Sequence, residues 1–330
     1  MLERGPNTGN NPPSDLFPAI EAHRYGWLDV GDGHELYWEE SGNPEGIPVI
    51  FLHGGPGAGT APVHRRFFDP EAYRIMLFDQ RGAGRSRPYA AMTANTTDHL
   101  VEDIEALRGH FGVERWLVFG GSWGATLAVS YALRHGARCL GLVLRGVFLG
   151  RQSELDWFMG GARMIFPEAW DRFVEFLPAA ERGDVLQAYH RRLMSDDKDV
   201  HGPAARAWNA YESSCSTLRT PAEPTSGSPS LGLARIEAHY FVNAMFIADD
   251  MLARAPELAG IPGAIVQGRY DMVCPLVTAY DLHRAWPGSC LVVVGDAGHS
   301  AMEPEIRRAL VAATEAFKRD GRFDGDAGSP

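Results

Sequence analysis

Short apolar runs recur along this 330-residue chain and alternate with segments of helical periodicity. The runs are rich in β-branched and aromatic residues, which predicts buried strands at 48–54, 74–80, 116–121, 140–146, 263–268 and 290–296. Apolar positions at helical spacing predict helices at 99–112, 122–136 and 304–321. Strands that are apolar throughout and alternate with helices are typical of a mostly parallel sheet covered on both faces. The pattern therefore predicts an α/β fold.

One long segment interrupts this alternation. Residues 150–259 are rich in Trp, Phe, Ala, Arg and Glu at helical spacing and contain little that predicts a strand. We interpret them as a helical cap domain inserted into a catalytic domain formed by 1–149 and 260–330. Within the cap, the stretch 219–232, RTPAEPTSGSPSLG, predicts a loop between two helical pieces. Residues 1–14 and 319–330 are expected to be frayed or disordered.

Composition narrows the class of protein. Hydrophobic residues make up 45% and charged residues 22% of the chain, as in ordinary globular proteins. The formal net charge of -11 argues against nucleic-acid binding, which needs a basic face. No apolar run approaches the roughly 18 residues of a membrane span, and the start of the chain, MLERGPNTGNNPPSDLF, has no signal-peptide core. The four cysteines are widely spaced, so we expect reduced thiols in a cytoplasmic protein.

The stretch FGGSWGATLA contains the candidate nucleophile, Ser122. It directly follows a predicted strand and begins a predicted helix, with the spacing Gly120-x-Ser122-x-Gly124. That spacing is the nucleophile turn of α/β hydrolases, in which the serine adopts strained backbone geometry. Glycines are needed there because a side chain at either position would collide with the neighbouring strand or helix.

A nucleophilic serine needs a base and an acid that orients the base, and in this fold they follow the serine in the order Asp or Glu, then His. Asp271 lies after the fifth predicted strand in GRYDMVCP, and His299 lies after the sixth in GDAGHSAMEP. Asp296 is the alternative acid. We prefer Asp271 because its strand lies where the chain order requires the acid, so the predicted triad is Ser122, Asp271 and His299.

The glycine-rich loop HGGPG, which follows the first predicted strand, suits an oxyanion hole. The expected donors are the backbone N–H groups of Gly55 and of Trp123, the residue after the nucleophile. A dinucleotide-binding loop is the alternative, but no frame of this loop fits G-x-G-x-x-G, since its third position is Thr60 or Pro62. No HExxH motif or Cys/His cluster occurs, so no metal is expected.

The motifs together resemble those of the proline iminopeptidase family, over about residues 16–318. They are HGGPG, DQRGAGRS, GGSWGATLA, RGVF, RIEAHYF, GRYDMVCP and GDAGHSAMEP. The resemblance implies an α/β-hydrolase fold and a cofactor-free serine peptidase. It further implies that the substrates are short peptides with a free N-terminal proline, which the enzyme releases through an acyl-enzyme.

The resemblance also implies a set of substrate-binding residues. Glu212 and Glu237 match the cap glutamates that bind the free amino end, while Phe148 and Phe158 match the apolar pocket for the proline ring, with Cys274 beside it. Each glutamate shares a helix face with an aromatic residue four positions away. Carboxylates beside apolar rings suit a cationic nitrogen on an apolar ring.

Three positions depart from the family pattern. Tyr211 stands where the family usually has Trp, Ala238 where it has Asn, and Ala83 where it has Cys. The two cap changes bear on how strictly proline is preferred. A broader aminopeptidase or an esterase on the same triad is the nearest alternative function, and a binding protein on an inactive hydrolase fold is the alternative from another class. The sequence indicates no oligomeric state.

Overall fold

A central sheet organises the structure, a computed structural model that describes residues 15–218 and 231–323. Its strands are β1 (Arg24–Asp29), β2 (Glu35–Gly42), β3 (Ile47–Leu52), β4 (Tyr73–Phe78), β5 (Trp116–Gly121), β6 (Cys139–Arg145), β7 (Gly263–Gly268) and β8 (Ser289–Val294). They lie in the order β1-β2-β4-β3-β5-β6-β7-β8. The pairs from β4 to β8 are parallel, whereas β2 pairs antiparallel with both β1 and β4. The predicted mostly parallel sheet is confirmed.

Helices cover both faces of this sheet. They are α1 (Thr97–His110), α2 (Trp123–His135), α3 (Gln152–Phe158), α4 (Pro167–Glu175), α5 (Val185–Leu193), α6 (Lys198–Cys215), α7 (Leu231–Val242), α8 (Met251–Arg254), α9 (Leu276–Ala285) and α10 (Pro304–Asp320). The apolar sides of α1, α2 and α9 share one buried cluster, and α10 packs into a second cluster on the opposite face. Burial on both faces explains why the inner strands are apolar throughout.

The apolar pattern locates β3 to β8 within two residues at each end but misses β1 and β2. β1 is a largely exposed edge strand. β2 is buried yet contains Glu39 and Glu40, whose side chains are each 2% exposed. Arg65 Nε donates to Glu39 at 2.7 Å and Arg74 Nε donates to Glu40 at 3.0 Å. The two glutamates break the apolar pattern expected of a buried strand, so the pattern misses β2. Their charges are compensated by arginines that are distant in the sequence.

Between β6 and β7 the described residues, 146–218 and 231–262, contain helices and no strand. Helices α5, α6 and α7 pack on one another around aromatic rings. The rings of Phe173 and Tyr189 are stacked, with their centroids 4.1 Å apart. Residues 219–230 of the predicted loop, like 1–14 and 324–330 of the predicted tails, lie outside the described residues. At the end of the chain α10 continues to Asp320, into the stretch expected to be frayed. No helix in the described part is long and apolar enough to cross a membrane.

A buried ion pair ties the turn after β4 to α1. Arg81 donates from Nε and Nη2 to the two carboxylate oxygens of Asp103, each at 2.8 Å, and both side chains are 2% exposed. A third bond runs from Arg81 Nη1 to the carbonyl of Ala94 at 2.7 Å. Removing one member of such a pair leaves an uncompensated buried charge.

Asp103→Ala is therefore expected to lower the free energy of unfolding by about 3 kcal/mol, because the half-exposed Asp32 is then the one carboxylate among the described residues that still pairs with Arg81. Urea denaturation measures the effect. Asp98→Ala is the matched control on the same helix, since Asp98 forms an exposed pair with Arg134 and its loss should cost about 1 kcal/mol or less. Equal stability of the two variants would contradict the prediction.

Candidate active site

Ser122 lies on a tight turn between β5 and α2. Its φ of 58° and ψ of -126° are strained for a residue with a side chain. A Cβ on Gly120 would lie 2.2 Å from the carbonyl oxygen of Gly124, and a Cβ on Gly124 would lie 2.1 Å from that of Leu52 in β3. Both collisions are with backbone, so only glycine allows the strand, turn and helix to approach this closely. The Ser122 N–H donates to the carbonyl of Arg145 in β6 at 2.8 Å.

Asp271 and His299 are in direct contact. Asp271 Oδ2 accepts from His299 Nδ1 at 2.8 Å, which fixes the Nδ1–H tautomer because a carboxylate only accepts. Gln267 Nε2 donates to the same Oδ2 at 2.9 Å, and the Cys274 N–H donates to Oδ1 at 2.8 Å. Asp296 is exposed, so of the two candidate acids Asp271 is the partner of His299. The acid is held by its own hydrogen bonds as well as by the imidazole.

The other nitrogen of His299 faces Arg145. Arg145 Nη1 lies 3.0 Å from His299 Nε2 and donates to the His299 carbonyl at 2.9 Å. Within residues 15–218 and 231–323, Ser122 makes no hydrogen bond to His299, and Ser122 lines the cap side of the site together with Cys274. The structure thus brings Asp271 and His299 of the predicted triad into contact. Arg145 occupies the side of His299 on which a hydrogen bond from Ser122 was expected. The RGVF motif contains this arginine, but sequence reasoning assigned it no role.

Of the two expected oxyanion donors, Gly55 lines both cavities that contain Ser122, and Trp123 follows Ser122 as the first residue of α2. Among the described residues, neither the Gly55 nor the Trp123 N–H donates to a protein acceptor. Gln80 connects the segments that carry them: its Oε1 accepts from the Trp123 indole at 2.8 Å and its Nε2 donates to the His53 carbonyl at 2.9 Å. The Gln80 N–H also donates to His53 Nε2 at 3.0 Å. This bridge was not predicted, although Gln80 is part of the quoted DQRG motif.

The residues predicted to bind substrate all line one pocket with Ser122, which we call the cap pocket. Its lining is Gly55, Ser122, Phe148, Glu154, Leu155, Phe158, Glu212, Glu237, Phe241, Val273 and Cys274. Apolar rings and aliphatic side chains form most of this surface. The carboxyl groups and the Ser122 hydroxyl are therefore brought together in an environment of low polarity.

Two carboxyl groups from different helices meet in the cap pocket. Burial raises the pKa of Glu212, on α6, to about 7. Burial and the neighbouring Glu212 raise the pKa of Glu237, on α7, well above its usual range, and the Trp208 indole donates to Glu237 at 2.5 Å. The pair therefore retains a proton near neutral pH. A cation bound between the two groups would favour their ionised forms.

The three residues that depart from the family pattern are all buried. Tyr211 is buried against aromatic rings, and its hydroxyl donates to the Phe158 carbonyl at 2.7 Å. Ala238 and Ala83 are fully buried. None of the three belongs to the cap-pocket lining, but Tyr211 contacts Phe158, which does.

A second cavity, which we call the arginine cavity, opens on Ser122 and has a volume of about 270 Å³. Its lining includes Gly55, Ser122 and Glu212, which the cap pocket shares, and it adds Arg145, His299 and the residues after His299. His53 and His64 form part of its wall. In the described part of the chain, no group of three or more His, Cys, Asp or Glu side chains is arranged to hold a metal ion.

Comparison with known proteins gives both sequence relatives and a related fold. The family profile described as alpha/beta hydrolase fold matches residues 47–305. A proline iminopeptidase of Arabidopsis thaliana is 53% identical over 311 residues, covering 92% of this chain and 82% of that protein. A proline iminopeptidase of Xylella fastidiosa (strain Temecula1 / ATCC 700964) is 51% identical, covering 92% and 99%. The crystal structure of a Mycobacterium smegmatis proline iminopeptidase shares the fold, with a TM-score of 0.60 at 19% identity over 90% of this chain and 98% of that one.

The raised pKa of Glu212 predicts a pH-dependent stability. Because folding raises this pKa from 4.5 to about 7, the folded state holds its proton more tightly and loses stability as the pH rises through this interval. Glu212→Gln should therefore be more stable than the wild type at pH 8, by about 1–3 kcal/mol, and should show no such gain at pH 4. Urea denaturation at both pH values measures this difference. Glu175→Gln, on the exposed side of α4, is the control, and an equal effect of Glu212→Gln at both pH values would refute the prediction.

Proposed function

The chain belongs to the proline iminopeptidase family of α/β hydrolases, and we propose that it releases proline from the free amino end of short peptides. One observation carries the proposal: the carboxyl groups of the partly buried Glu212 and the buried Glu237 line the same apolar pocket as Ser122. An N-terminal prolyl residue has a cationic ring nitrogen, apolar ring carbons and an adjacent scissile carbonyl. These three features match the carboxyl groups, the rings and the serine of the cap pocket.

In this proposal the chain has two functional parts. Residues 1–149 and 260–330 form the catalytic domain, and 150–259 form the cap domain. The absence of strands between β6 and β7 in the described residues supports this division. The cap supplies the amino-end receptor, since Glu212 lies on α6 and Glu237 on α7.

Ser122, His299 and Asp271 carry out the acyl transfer. Ser122 Oγ attacks the prolyl carbonyl carbon while its proton passes to His299 Nε2, and Asp271 stabilises the imidazolium. The C–N bond then breaks as His299 returns the proton to the leaving amine, which leaves a prolyl ester on Ser122. Water attacks this ester with His299 again as the base, and proline departs. The contact between His299 Nδ1 and Asp271 supports these roles.

The backbone N–H groups of Gly55 and Trp123 stabilise the oxyanion of each tetrahedral intermediate. A donor of this kind is worth about 3–4 kcal/mol of transition-state stabilisation. The bonds of Gln80 to the Trp123 indole and to the His53 carbonyl hold the two donor segments at a fixed separation. Donors held in place before the reaction need no reorganisation when charge develops.

Substrate selection follows from the cap pocket. Glu212 and Glu237 bind the ring nitrogen, and Phe148 and Phe158 hold the ring carbons beside Cys274. Burial raises the pKa of the Cys274 thiol well above its usual range, so Cys274 stays neutral and does not compete with Ser122 as nucleophile. An acylated amino end would lack the charge that the glutamates bind.

We also assign the protein to the cytoplasm. Its four cysteines, of which Cys139, Cys215 and Cys274 are buried, form no disulfide. Thiols that remain reduced are typical of a reducing compartment.

The central test is release of chromophore from prolyl, alanyl and leucyl anilides and from N-acetylprolyl anilide. The wild type should cleave the prolyl anilide at least about tenfold faster than the others, because only proline fills the pocket while presenting its charge. Acetylation should abolish cleavage, and Ser122→Ala should abolish all activity. Cleavage that ignores acetylation would favour the esterase alternative. Serine-dependent cleavage that prefers another amino-terminal residue would favour a broader aminopeptidase.

A second test isolates the glutamates by the ratio of kcat/KM for prolyl anilide to kcat/KM for the neutral ester nitrophenyl acetate. Any effect on the reactivity of Ser122 changes kcat/KM for both substrates and therefore cancels in this ratio. Because Glu212 ionises near pH 7, the ratio should fall about tenfold from pH 7 to pH 5.5.

Glu212→Gln and Glu237→Gln should lower this ratio and leave ester hydrolysis largely unchanged. Glu175→Gln, which alters an exposed cap carboxylate, should behave as the wild type. Equal losses on the anilide and the ester would mean that the glutamates support the fold and do not bind the amino end.

A further inference from the structure

The side chain of Trp123, the residue after the nucleophile, is held at two points. It is fully buried, and its indole N–H donates to Gln80 Oε1 at 2.8 Å. Its ring packs edge-to-face against the ring of Tyr240, with the centroids 4.9 Å apart and the planes at 69°. Because Tyr240 lies on α7, a helix of the cap contacts the first residue of α2.

A hydrogen-bond network fixes the position of Tyr240. Its hydroxyl donates to Asn95 Oδ1 at 3.0 Å. Asn95 Nδ2 donates to the carbonyls of Arg81 at 3.0 Å and Ala91 at 2.9 Å, so the amide is oriented with its oxygen as the acceptor. Burial raises the pKa of the Tyr240 hydroxyl well above its usual range, so the hydroxyl keeps the proton that it donates. Tyr240 is therefore anchored to the segment that directly follows Gln80.

A strained turn after α7 supports the same ring. Tyr240 packs edge-to-face against Phe246, with the ring centroids 5.2 Å apart and the planes at 86°. Phe246 ends a run of left-handed residues that are not glycine, with φ values of 47° at Ala244, 58° at Met245 and 52° at Phe246. Such geometry is unfavourable for a residue with a Cβ and persists only where surrounding contacts hold it. Here Met245 is fully buried, and Thr97 Oγ1 donates to its carbonyl at 2.5 Å.

The contacts of the Trp123 ring bear on catalysis through the Trp123 backbone. In the proposed function the N–H groups of Trp123 and Gly55 bind the oxyanion. A ring held by both Gln80 and Tyr240 restricts the Trp123 Cα and therefore the direction of its N–H. Gln80 Nε2 also donates to the carbonyl of His53, two residues before Gly55, so the same set of contacts reaches the second donor segment.

We propose that Tyr240 is a positioning residue of the oxyanion hole, which holds the Trp123 N–H in the direction of the developing charge. The inference rests on the proposed function, because the Trp123 N–H has to be an oxyanion donor. Tyr240 is not among the described residues that line the two cavities at Ser122, so it acts through Trp123. Glu237 lies three positions before Tyr240 on α7, so one helix carries an amino-end receptor and the support of an oxyanion donor.

The test uses L-prolinal and L-prolinol as inhibitors of prolyl anilide cleavage. Both present a cationic ring nitrogen and apolar ring carbons to the cap pocket. With the aldehyde, Ser122 Oγ adds to the carbonyl carbon while its proton passes to His299, and the carbonyl oxygen becomes an oxyanion. The alcohol has no carbonyl and forms no adduct. The ratio of the two inhibition constants therefore measures stabilisation of the oxyanion separately from binding of the amino end.

Tyr240→Leu should raise the inhibition constant of prolinal about tenfold, because a displaced donor loses part of its effect, and should leave that of prolinol unchanged. The kcat for prolyl anilide should fall by a similar factor with little change in KM. Tyr240→Phe keeps the ring and should stay within about threefold of the wild type. Tyr131→Leu is the matched control, since Tyr131 is also fully buried, packs on a tryptophan and donates to a side chain, and it should keep the wild-type ratio.

The outcomes separate this inference from the proposed function. A folded Tyr240→Leu that keeps the wild-type inhibition constant for prolinal overturns the inference and leaves the function intact. If both inhibitors weaken by the same factor, Tyr240 supports the cap pocket and not the oxyanion hole. Tyr240→Met, which fills the site with a flexible chain in place of a ring, decides the question if Tyr240→Leu does not fold. Wild-type protein that neither cleaves prolyl anilide nor binds the two inhibitors would instead reject the proposed function itself.

Discussion

The close approach of three backbone segments around Ser122 is the constraint on which the site depends. The carbonyls of Leu52 and Gly124 leave no room for a Cβ at Gly124 or Gly120, so the turn holds Ser122 at a φ of 58°. The Ser122 N–H is bound to the carbonyl of Arg145, which brings the end of β6 beside the turn. Because parallel strands end at one edge of the sheet, the loops after β7 and β8 reach the same point.

Burial of charge is the main energetic feature around that turn. The carboxyl groups of Glu212 and Glu237 lie close enough to oppose each other's ionisation, and in the described residues Arg145 forms no direct ion pair, its contact being with His299. Such groups lower stability when no ligand is bound. In the proposed reaction the cationic amino end of the substrate supplies a partner to the two carboxyl groups, so stability lost in the free protein is recovered as binding energy.

One helix links recognition to catalysis. Helix α6 carries Glu212, and just beyond its end the carbonyl of Ser216 accepts the N–H groups of His299 at 3.1 Å and Ser300 at 2.9 Å. The Ser216 hydroxyl donates back to the Glu212 carbonyl at 2.8 Å. A displacement of α6 would therefore move an amino-end receptor and the loop of the base together. Cap position and base geometry are not independent in this molecule.

The sequence by itself determined those features that depend only on residues close together in the chain. Strands buried on both faces must be apolar, and the turn at Ser122 must have glycines two residues away, so both are visible as patterns along the chain. Long-range contacts left no such pattern. The charges of β2 are compensated by distant arginines, Gln80 bridges two loops, and Arg145 faces His299 across 154 positions of the chain. Only the tertiary structure decided these features, because they depend on which side chains folding brings together and not on their spacing.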